Sequence, residues 1–215
     1  MNGKTEAKVA HIRGGEPTFP DALGATLGRR APKQLFAFGN LDILRKKTVA
    51  LFCSVQCPGN LVLKTYDLAR ELRDGGVTVI SGFHSPMEKE CLSLLLRGSQ
   101  PIIWCMPKRL TVKGIPKECL RPLEEGRLLI ISPFDGKVGR ATQQTALFRN
   151  EVVAALADHV FVSYAAPGGK TESFCKWVVE WHKPLFTFEA PETIPLRSIG
   201  ARPIQNVVGI MGGGS

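Results

Sequence analysis

From Thr48 onward the chain alternates between two kinds of segment. Six short runs are almost entirely apolar and rich in Val, Ile and Phe, and they read TVALFCS, VTVISGF, PIIWCM, RLLIIS, HVFVSYA and PLFTFEA. Such runs are typical of strands that are buried on both faces, as in a parallel sheet. Longer segments with helical spacing lie between them. The alternation predicts an α/β fold with a doubly wound, largely parallel sheet.

Five segments space their apolar residues as helices do. In residues 60–76 this spacing brings four leucines near one face, and Gly75-Gly76 gives a cap signal at the end; the four are Leu61, Leu63, Leu68 and Leu72. The segment 116–126 is the weakest helix candidate because Pro122 interrupts it. The other three predicted helices span residues 87–99, 145–158 and 171–182.

The pattern divides the chain into four parts. We expect residues 1–18 to form a flexible basic arm and residues 19–47 an N-terminal extension that packs on the core without forming a second domain. Residues 48–191 carry the strand and helix alternation and form the main domain. The tail, residues 192–215, ends in MGGGS and gives no structural signal.

Composition adds a hint about partners. The 215 residues carry a formal net charge of +9, which suits a polyanion such as nucleic acid. Residues 1–15 lack the apolar core of a secretory leader, so we expect a cytoplasmic protein whose six scattered cysteines are reduced and mostly buried. Cys53 and Cys57 have no second ligand pair at zinc-site spacing, so we expect no metal and no other cofactor. No apolar stretch is long enough to span a bilayer.

In a doubly wound sheet the ligand site lies beyond the carboxyl ends of the strands. Four loops are expected there, spanning residues 53–59, 81–87, 105–108 and 165–171. The last of them contains Gly168-Gly169-Lys170-Thr171. A phosphate-binding P-loop would need a glycine where Tyr164 stands, so hydrolysis of ATP is not expected. Two interpretations stay open: a tight turn with an exposed lysine, or a helix start whose outward amides at Gly169, Lys170 and Thr171 hold a phosphate.

Phe148-Arg149-Asn150 is a more specific signal. With a helix that starts near Thr145, Arg149 and Asn150 lie in its first turns, where the helix dipole favours an anion. Arg149 is then a candidate for a bidentate phosphate contact, and Phe148 for stacking on a base. The alternative is a solvated arginine beside a phenylalanine that packs in the core.

Together these stretches resemble the DprA/Smf family of DNA-processing proteins. The resemblance rests on FPDAL, VALFCS, LARELRDGGVTVISG, FRNEVVAALAD and GKTESF followed by KPLFTFEAP, and it runs from about Phe19 to Pro191. It implies a Rossmann-like domain that binds single-stranded DNA and delivers it to a RecA-type recombinase as a homodimer. It implies no catalytic residue.

The match to this family is unequal along the chain. The family's Phe-x-x-Arg-Asn-Arg falls on residues 146–151, where Arg149 and Asn150 fit and Glu151 replaces the second arginine. Its first-loop Gly-Ser-Arg falls on Cys53-Ser54-Val55, so only the serine remains. Of the signature that falls on residues 81–88, Ser81 and Gly82 remain and Glu88 replaces the acid. The contact residues that we predict are Ser54, Ser81, Gly82, Lys108, Phe148, Arg149, Asn150, Gly168, Gly169, Lys170 and Thr171, with Arg109 and Lys113 widening the basic rim.

A second family offers a rival function. The Pro-Gly-Gly-x-Gly-Thr-x-x-Glu loop of the LOG-type nucleoside-monophosphate phosphoribohydrolases resembles residues 167–172, although the third glycine is absent and the acid is closer. Hydrolysis of an N-glycosidic bond needs a carboxylate at the ribose, for which Glu151 and Glu172 are the candidates. A nucleotide sensor without catalysis is a third possibility.

Overall fold

A computed structural model describes residues 9–212 of the chain. In that range nine strands form one sheet: β1 (Ala10–Arg13), β2 (Gln34–Gly39), β3 (Thr48–Phe52), β4 (Thr78–Ser81), β5 (Ile102–Cys105), β6 (Leu128–Ser132), β7 (His159–Val162), β8 (Leu185–Phe188) and β9 (Arg202–Ile204). Their order is β1-β2-β6-β5-β4-β3-β7-β8-β9. In this spatial order, the neighbouring strands from β6 through β5, β4, β3, β7 and β8 to β9 are all parallel. The β1–β2 and β2–β6 pairs are antiparallel. The predicted fold class is confirmed, and the six apolar runs are β3 to β8.

The helices of this range are α1 (Asp21–Leu27), α2 (Gly59–Asp74), α3 (Pro86–Leu95), α4 (Leu120–Glu124), α5 (Gln143–Leu156), α6 (Lys170–Glu180), α7 (Ile194–Ser198) and α8 (Val208–Met211). The five predicted helices are α2 to α6, and α4 is the short one. Leu63 does not belong to the buried face of α2, because it is 67% exposed. Among the described residues, no helix has the length and apolar character that crossing a membrane requires.

Helices cover both faces of the sheet, which explains why its central strands are apolar without alternation. Along β3, Ala50 and Phe52 belong to the core that α1, α5 and α6 cover. Leu51 and Cys53 belong to the core under α2 and α3 on the other face. Side chains of successive strand residues point to opposite faces, so each residue of β3 is buried in one of the two layers.

The chain termini contribute more to the sheet than the sequence predicts. Residues 1–8 of the expected arm lie outside the described residues, but Ala10–Arg13 form β1. The N-terminal extension also supplies β2, which pairs with β6, so it extends the sheet as well as packing on it. Residues 192–212 are likewise structured, as α7, β9 and α8. The division into arm, extension, domain and tail stays a prediction.

The strand order places a topological switch point at β3. The chain proceeds from β3 through β4 and β5 to β6 on one side, then returns to pair β7 with β3 on the other. Connections therefore leave β3 and β7 in opposite directions, and a crevice opens beyond their carboxyl ends. Ligands of doubly wound sheets bind in such crevices.

An ion pair ties the N-terminal extension to α5. The Arg30 guanidinium donates to both carboxylate oxygens of Glu151, at 2.6 and 2.5 Å, although 121 residues separate the two in sequence. The Glu151 side chain is 1% exposed and that of Arg30 is 58% exposed. The pair therefore offsets the cost of burying a carboxylate, and Arg30 extends to the surface above it.

We predict that Arg30→Ala lowers the free energy of unfolding by about 1.5–3 kcal/mol, because it leaves the buried Glu151 carboxylate without its charged donor. Arg29→Ala is the matched control: it removes the same charge from the neighbouring exposed position and should change stability by less than about 0.5 kcal/mol. Urea denaturation of both variants measures the difference. Equal stability of the two variants would contradict the prediction.

Candidate functional site

A cleft of about 510 Å³ lies at the carboxyl ends of β3 and β7. Two hydrogen bonds join the loops that follow these strands: the Ser54 amide donates to the Tyr164 carbonyl at 2.9 Å, and the Ala166 amide donates to Ser54 Oγ at 3.1 Å. Seven of the predicted contact residues line the cleft: Ser54, Arg149, Asn150, Gly168, Gly169, Lys170 and Thr171. The sheet topology therefore brings the first loop, the Arg149-Asn150 pair and the glycine turn together in one cleft.

Arg149 lies in the wall of this cleft and is only 2% exposed. One terminal nitrogen donates to the Cys105 carbonyl at 3.3 Å, and its Nε has no acceptor. No carboxylate in the described part of the chain lies within salt-bridge distance of it. Burial lowers the pKa of the Arg149 guanidinium below its usual value, and the nearby Cys105 and Glu88 side chains offset only part of that shift. The guanidinium is therefore a buried cation with spare donors.

The helix start places Arg149 differently from the prediction. Thr142 caps α5 through a capping box with Thr145, so the helix begins at Gln143 and Arg149 lies in its second turn. The helix dipole acts within the first turn, so it does not account for an anion at Arg149. The side chain reaches the strand ends instead, where its guanidinium packs on Gly82.

Ser81 and Gly82 build the floor beneath Arg149 and do not line the cleft themselves. The Ser81 hydroxyl donates to the Leu51 carbonyl at 2.7 Å and accepts from the Phe83 amide at 3.2 Å, so its bonding capacity is used internally. A Cβ at position 82 would lie 1.4 Å from a terminal nitrogen of Arg149. The next residue, Phe83, has a φ of 46°, which is an unfavourable value for a phenylalanine, so the backbone is strained directly after Gly82.

Glu88 binds the amides of the first two loops. One carboxylate oxygen accepts from the Cys53 amide at 3.1 Å, and the other accepts from the His84 and Ser85 amides at 2.8 and 3.4 Å. Glu88 is 6% exposed. A carboxylate of the protein therefore occupies donors at which an external anion would otherwise bind.

The glycine turn before α6 is partly closed by internal hydrogen bonds. The Gly169 amide donates to the Ala166 carbonyl at 2.9 Å, so the prediction that it points outward is wrong. The Gly168 amide donates to the Glu172 carboxylate at 2.7 Å, and Gly168 adopts a φ of 68° that favours glycine. Within the described residues, the amides of Lys170, Thr171 and Glu172 donate to no acceptor. The N-cap residue of α6 is Gly169, which has no side chain to accept from them.

The remaining predicted contacts lie outside the cleft. Phe148 lines a neighbouring hollow, where its ring packs edge-on against Phe134 with centroids 5.8 Å apart. Lys108 also lies away from the cleft lining, and its backbone carbonyl accepts from the Ser132 hydroxyl. Arg109 is held by a bond from its side chain to the Gly136 carbonyl. These residues belong to the surroundings of the cleft.

Comparison of the sequence with protein-family models assigns the chain to a family. The model of the family described as DNA recombination-mediator protein A matches residues 10–204. The chain belongs to this family. No curated protein of similar sequence was found.

Two solved structures share the fold. DNA processing protein A from Streptococcus pneumoniae superimposes with a TM-score of 0.79 at 18% identity, over 96% of this chain and 74% of that one. The same protein from Helicobacter pylori, whose structure concerns a single-stranded DNA binding mode, gives 0.75 at 21% identity, over 95% of this chain and 94% of that one.

This member of the family has two cysteines in its first loop. A hydrogen bond between the thiols of Cys53 and Cys57 raises the pKa of Cys53 and lowers that of Cys57. By contrast, Cys175 is buried in α6, and burial raises the pKa of its thiol to about 12. Among the described residues, no three His, Cys, Asp or Glu side chains are grouped as metal ligands.

Two further residues of the site, Trp177 and Gln143, carry no clear signal in the sequence. Trp177 lines both the cleft and the neighbouring hollow, and Gln143 lines the cleft from the start of α5. Trp177 lies two turns into α6 within an apolar stretch, so its spacing alone could not distinguish it from a core residue. Gln143 lies in a polar segment before the first periodic apolar residue.

Glu88→Ala should lower the free energy of unfolding by about 1.5–3 kcal/mol, since the amides of Cys53 and His84 lose a charged acceptor. Glu90→Ala serves as the control, because Glu90 is exposed on the same helix and its side chain accepts a single hydrogen bond within residues 9–212, from the Tyr66 hydroxyl at 3.2 Å. Thermal or urea unfolding of the two variants gives the comparison. A Glu88→Ala variant as stable as Glu90→Ala would show that the carboxylate does not hold these loops.

Proposed function

We propose that the cleft binds a backbone phosphate of single-stranded DNA and that the chain acts without catalysis. One observation carries the proposal: Arg149 is a buried cation that lines the cleft, keeps an unbonded Nε and has no acidic partner within ion-pair distance among the described residues. Burial of an unpaired charge is costly, and a bound oxyanion would offset that cost with charge-assisted hydrogen bonds.

The start of α6 supports the same ligand. The unbonded amides of Lys170, Thr171 and Glu172 begin an 11-residue helix, and such amides attract anions. Lys170 is exposed beside them and adds a positive charge. In this proposal Ser54, Asn150, Gly168, Gly169 and Thr171 surround the phosphate, while Ser81 and Gly82 position Arg149.

Three observations favour a nucleic-acid strand over a small nucleotide that is hydrolysed. The net charge of +9 exceeds what a single nucleotide requires, and the Helicobacter pylori relative is described by its binding of single-stranded DNA. Both candidate carboxylates of a hydrolase are engaged: Glu151 by Arg30, and Glu172 by the Gly168 amide and Lys176. Base release from a nucleoside monophosphate that is lost in Glu172→Ala would overturn the non-catalytic part of the proposal.

The wider role follows from the family. We propose that the chain acts in DNA recombination or uptake as a cytoplasmic homodimer that delivers single-stranded DNA to a RecA-type recombinase. Phe148 and Lys108 would contact the strand beyond the phosphate cleft. Light scattering of the purified protein tests the dimer, and a filament-assembly assay with RecA on DNA coated by a single-strand binding protein tests delivery.

Arg149→Ala should weaken binding of labelled oligo-dT by about 1.5–3 kcal/mol, the worth of a hydrogen bond to a charged group. Fluorescence anisotropy at one fixed salt concentration measures the change, because affinities for DNA have no meaning without it. Circular dichroism establishes that the variant is folded. Unchanged affinity in a folded variant would remove Arg149 from the site.

Gly82→Ala should weaken binding to a similar degree without removing any charge. The new Cβ would lie 1.8 Å from Cζ of Arg149, so the guanidinium has to leave its position. Gly24→Ala is the matched control, because no atom lies within 4 Å of a Cβ at that helical position. Wild-type affinity in Gly82→Ala would argue that the position of the guanidinium does not matter.

Lys170→Ala should lower the affinity for oligo-dT and reduce the slope of log K against log salt by about one phosphate contact. Lys176→Ala, on the outer side of the same helix, removes an equal charge outside the cleft and should change the slope less. Titrations at several salt concentrations give both slopes. Identical slopes in the two variants would assign Lys170 to the general charge of the protein.

A further inference from the structure

A second hollow of about 410 Å³ opens beside the cleft. Its size lies within the range of roughly 300–1,000 Å³ for small-molecule sites. Leu147 and Trp177 line both spaces, so the two adjoin. Helix α5 separates them by its faces: Gln143 and Asn150 line the cleft, whereas Gln144 and Phe148 line the hollow.

Aromatic rings form much of the wall of this hollow. Phe134 and Phe148 meet at an interplanar angle of 65°, and Trp177 lies on the side shared with the cleft. The Arg30 guanidinium lies over the Trp177 ring, 5.9 Å from its centre, which leaves more than the van der Waals separation of two stacked groups between them. Its salt bridge with the buried Glu151 restricts where that guanidinium can go. The hollow therefore combines flat apolar surfaces with a cation held at its rim.

We propose that the hollow receives one unpaired base of the strand, adjacent to the phosphate that the cleft holds, with Trp177 as its stacking surface. The inference rests on the proposed function and adds a base subsite to it. A nucleobase has two flat apolar faces and a polar edge, which match the rings and the polar side chains of Gln144, Thr145 and Arg30 at the rim. Aromatic stacking accepts any base, so the subsite reads the unpaired state rather than the sequence.

The adjoining positions favour a base over an unrelated apolar ligand. Leu147 and Trp177 line both spaces, so the wall of the cleft that contains Arg149 continues into the aromatic wall of the hollow. In a single strand, a base is attached through its sugar to each phosphate, so a ligand that fills both spaces needs no additional anchor. In a duplex the base is paired and stacked, and reaching the hollow would require opening the pair.

The test compares two polymers that carry the same phosphates. One is oligo-dT, and the other is an abasic deoxyribose-phosphate chain of equal length. Wild-type protein should bind oligo-dT more tightly by about 5- to 150-fold, the range that corresponds to stacking of one base. Equal affinity for both polymers would overturn the base subsite while leaving the phosphate proposal intact. Binding of neither polymer would overturn both.

Two neighbouring glutamines allow the spaces to be blocked one at a time. Gln144→Trp fills the hollow from an exposed position on α5, so it should abolish the preference for oligo-dT and leave the affinity for the abasic chain nearly unchanged. Gln143→Trp fills the cleft instead, and it should lower the affinities for oligo-dT and for the abasic chain by similar factors. A preference that persists in Gln144→Trp would overturn the inference.

Trp177 in α6 and Trp181 at its C-terminal end allow the stacking surface to be identified. Trp177→Leu should also abolish the preference, and Trp177→Phe should keep most of it because a ring remains. Trp181→Leu is the matched control, because Trp181 is the residue that caps the end of α6, four positions after Trp177, and lines neither space. Loss of the preference in Trp181→Leu as well would show a general effect on α6 and would overturn the role of Trp177.

Discussion

The guanidinium of Arg149 is buried with no carboxylate of residues 9–212 at salt-bridge distance, and most of the surrounding structure can be understood from that constraint. A cation in the interior needs donors satisfied and opposite charge nearby. Here it receives one carbonyl, that of Cys105, and a carboxylate beyond salt-bridge distance, that of Glu88. Position 82 has room for no side chain, because the guanidinium occupies the space of a Cβ. The strand end at Ser81 is held by its own hydroxyl, so this space does not relax.

Two carboxylates, those of Glu88 and Glu172, determine which backbone amides around the cleft remain without an acceptor. Glu88 satisfies amides of the first two loops, and Val55, at the position where the resemblance has an arginine, is 69% exposed and apolar. The first loop thus retains little with which to attract an anion. At α6 the opposite holds: Glu172 accepts from the Gly168 amide, and the amides of Lys170, Thr171 and Glu172 have no acceptor in the described part of the chain. The free backbone donors therefore lie on the β7 side of the switch point, and the Arg149 guanidinium lies across it, at the ends of β4 and β5.

The sequence predicted the parts of the fold that depend on local composition. Strands β3 to β8 are buried on both faces, which produces continuous apolar runs that are hard to mistake. Strand β2 alternates buried and half-exposed residues beside a turn-rich segment, and β1 and β9 are short edge strands. Their pairing depends on neighbours far away in the chain, which a local pattern does not contain.

The site could be predicted only in part, for a related reason. Parallel strands bring their following loops to one edge, so the loops of Ser54 and Lys170 were found from topology alone. The bonding partners were not: Glu151 is held by a residue 121 positions away, and the Gly169 amide turns back to Ala166. Phe148 and Arg149 are adjacent in sequence, yet about 100° per residue directs them to different sides of α5.

Helix α5 also determines what kind of ligand can use both spaces. It lines the cleft with one face and the neighbouring hollow with another, and a capping box holds its first turn. Flexible loops could adjust the separation of two subsites, but a 14-residue helix packed on the sheet cannot. An anion in the cleft and a group in the hollow are therefore held at a nearly constant distance. A ligand gains binding free energy from both the cleft and the hollow only when its own covalent geometry matches that distance. This favours a repeating polymer of uniform spacing over ligands of variable shape.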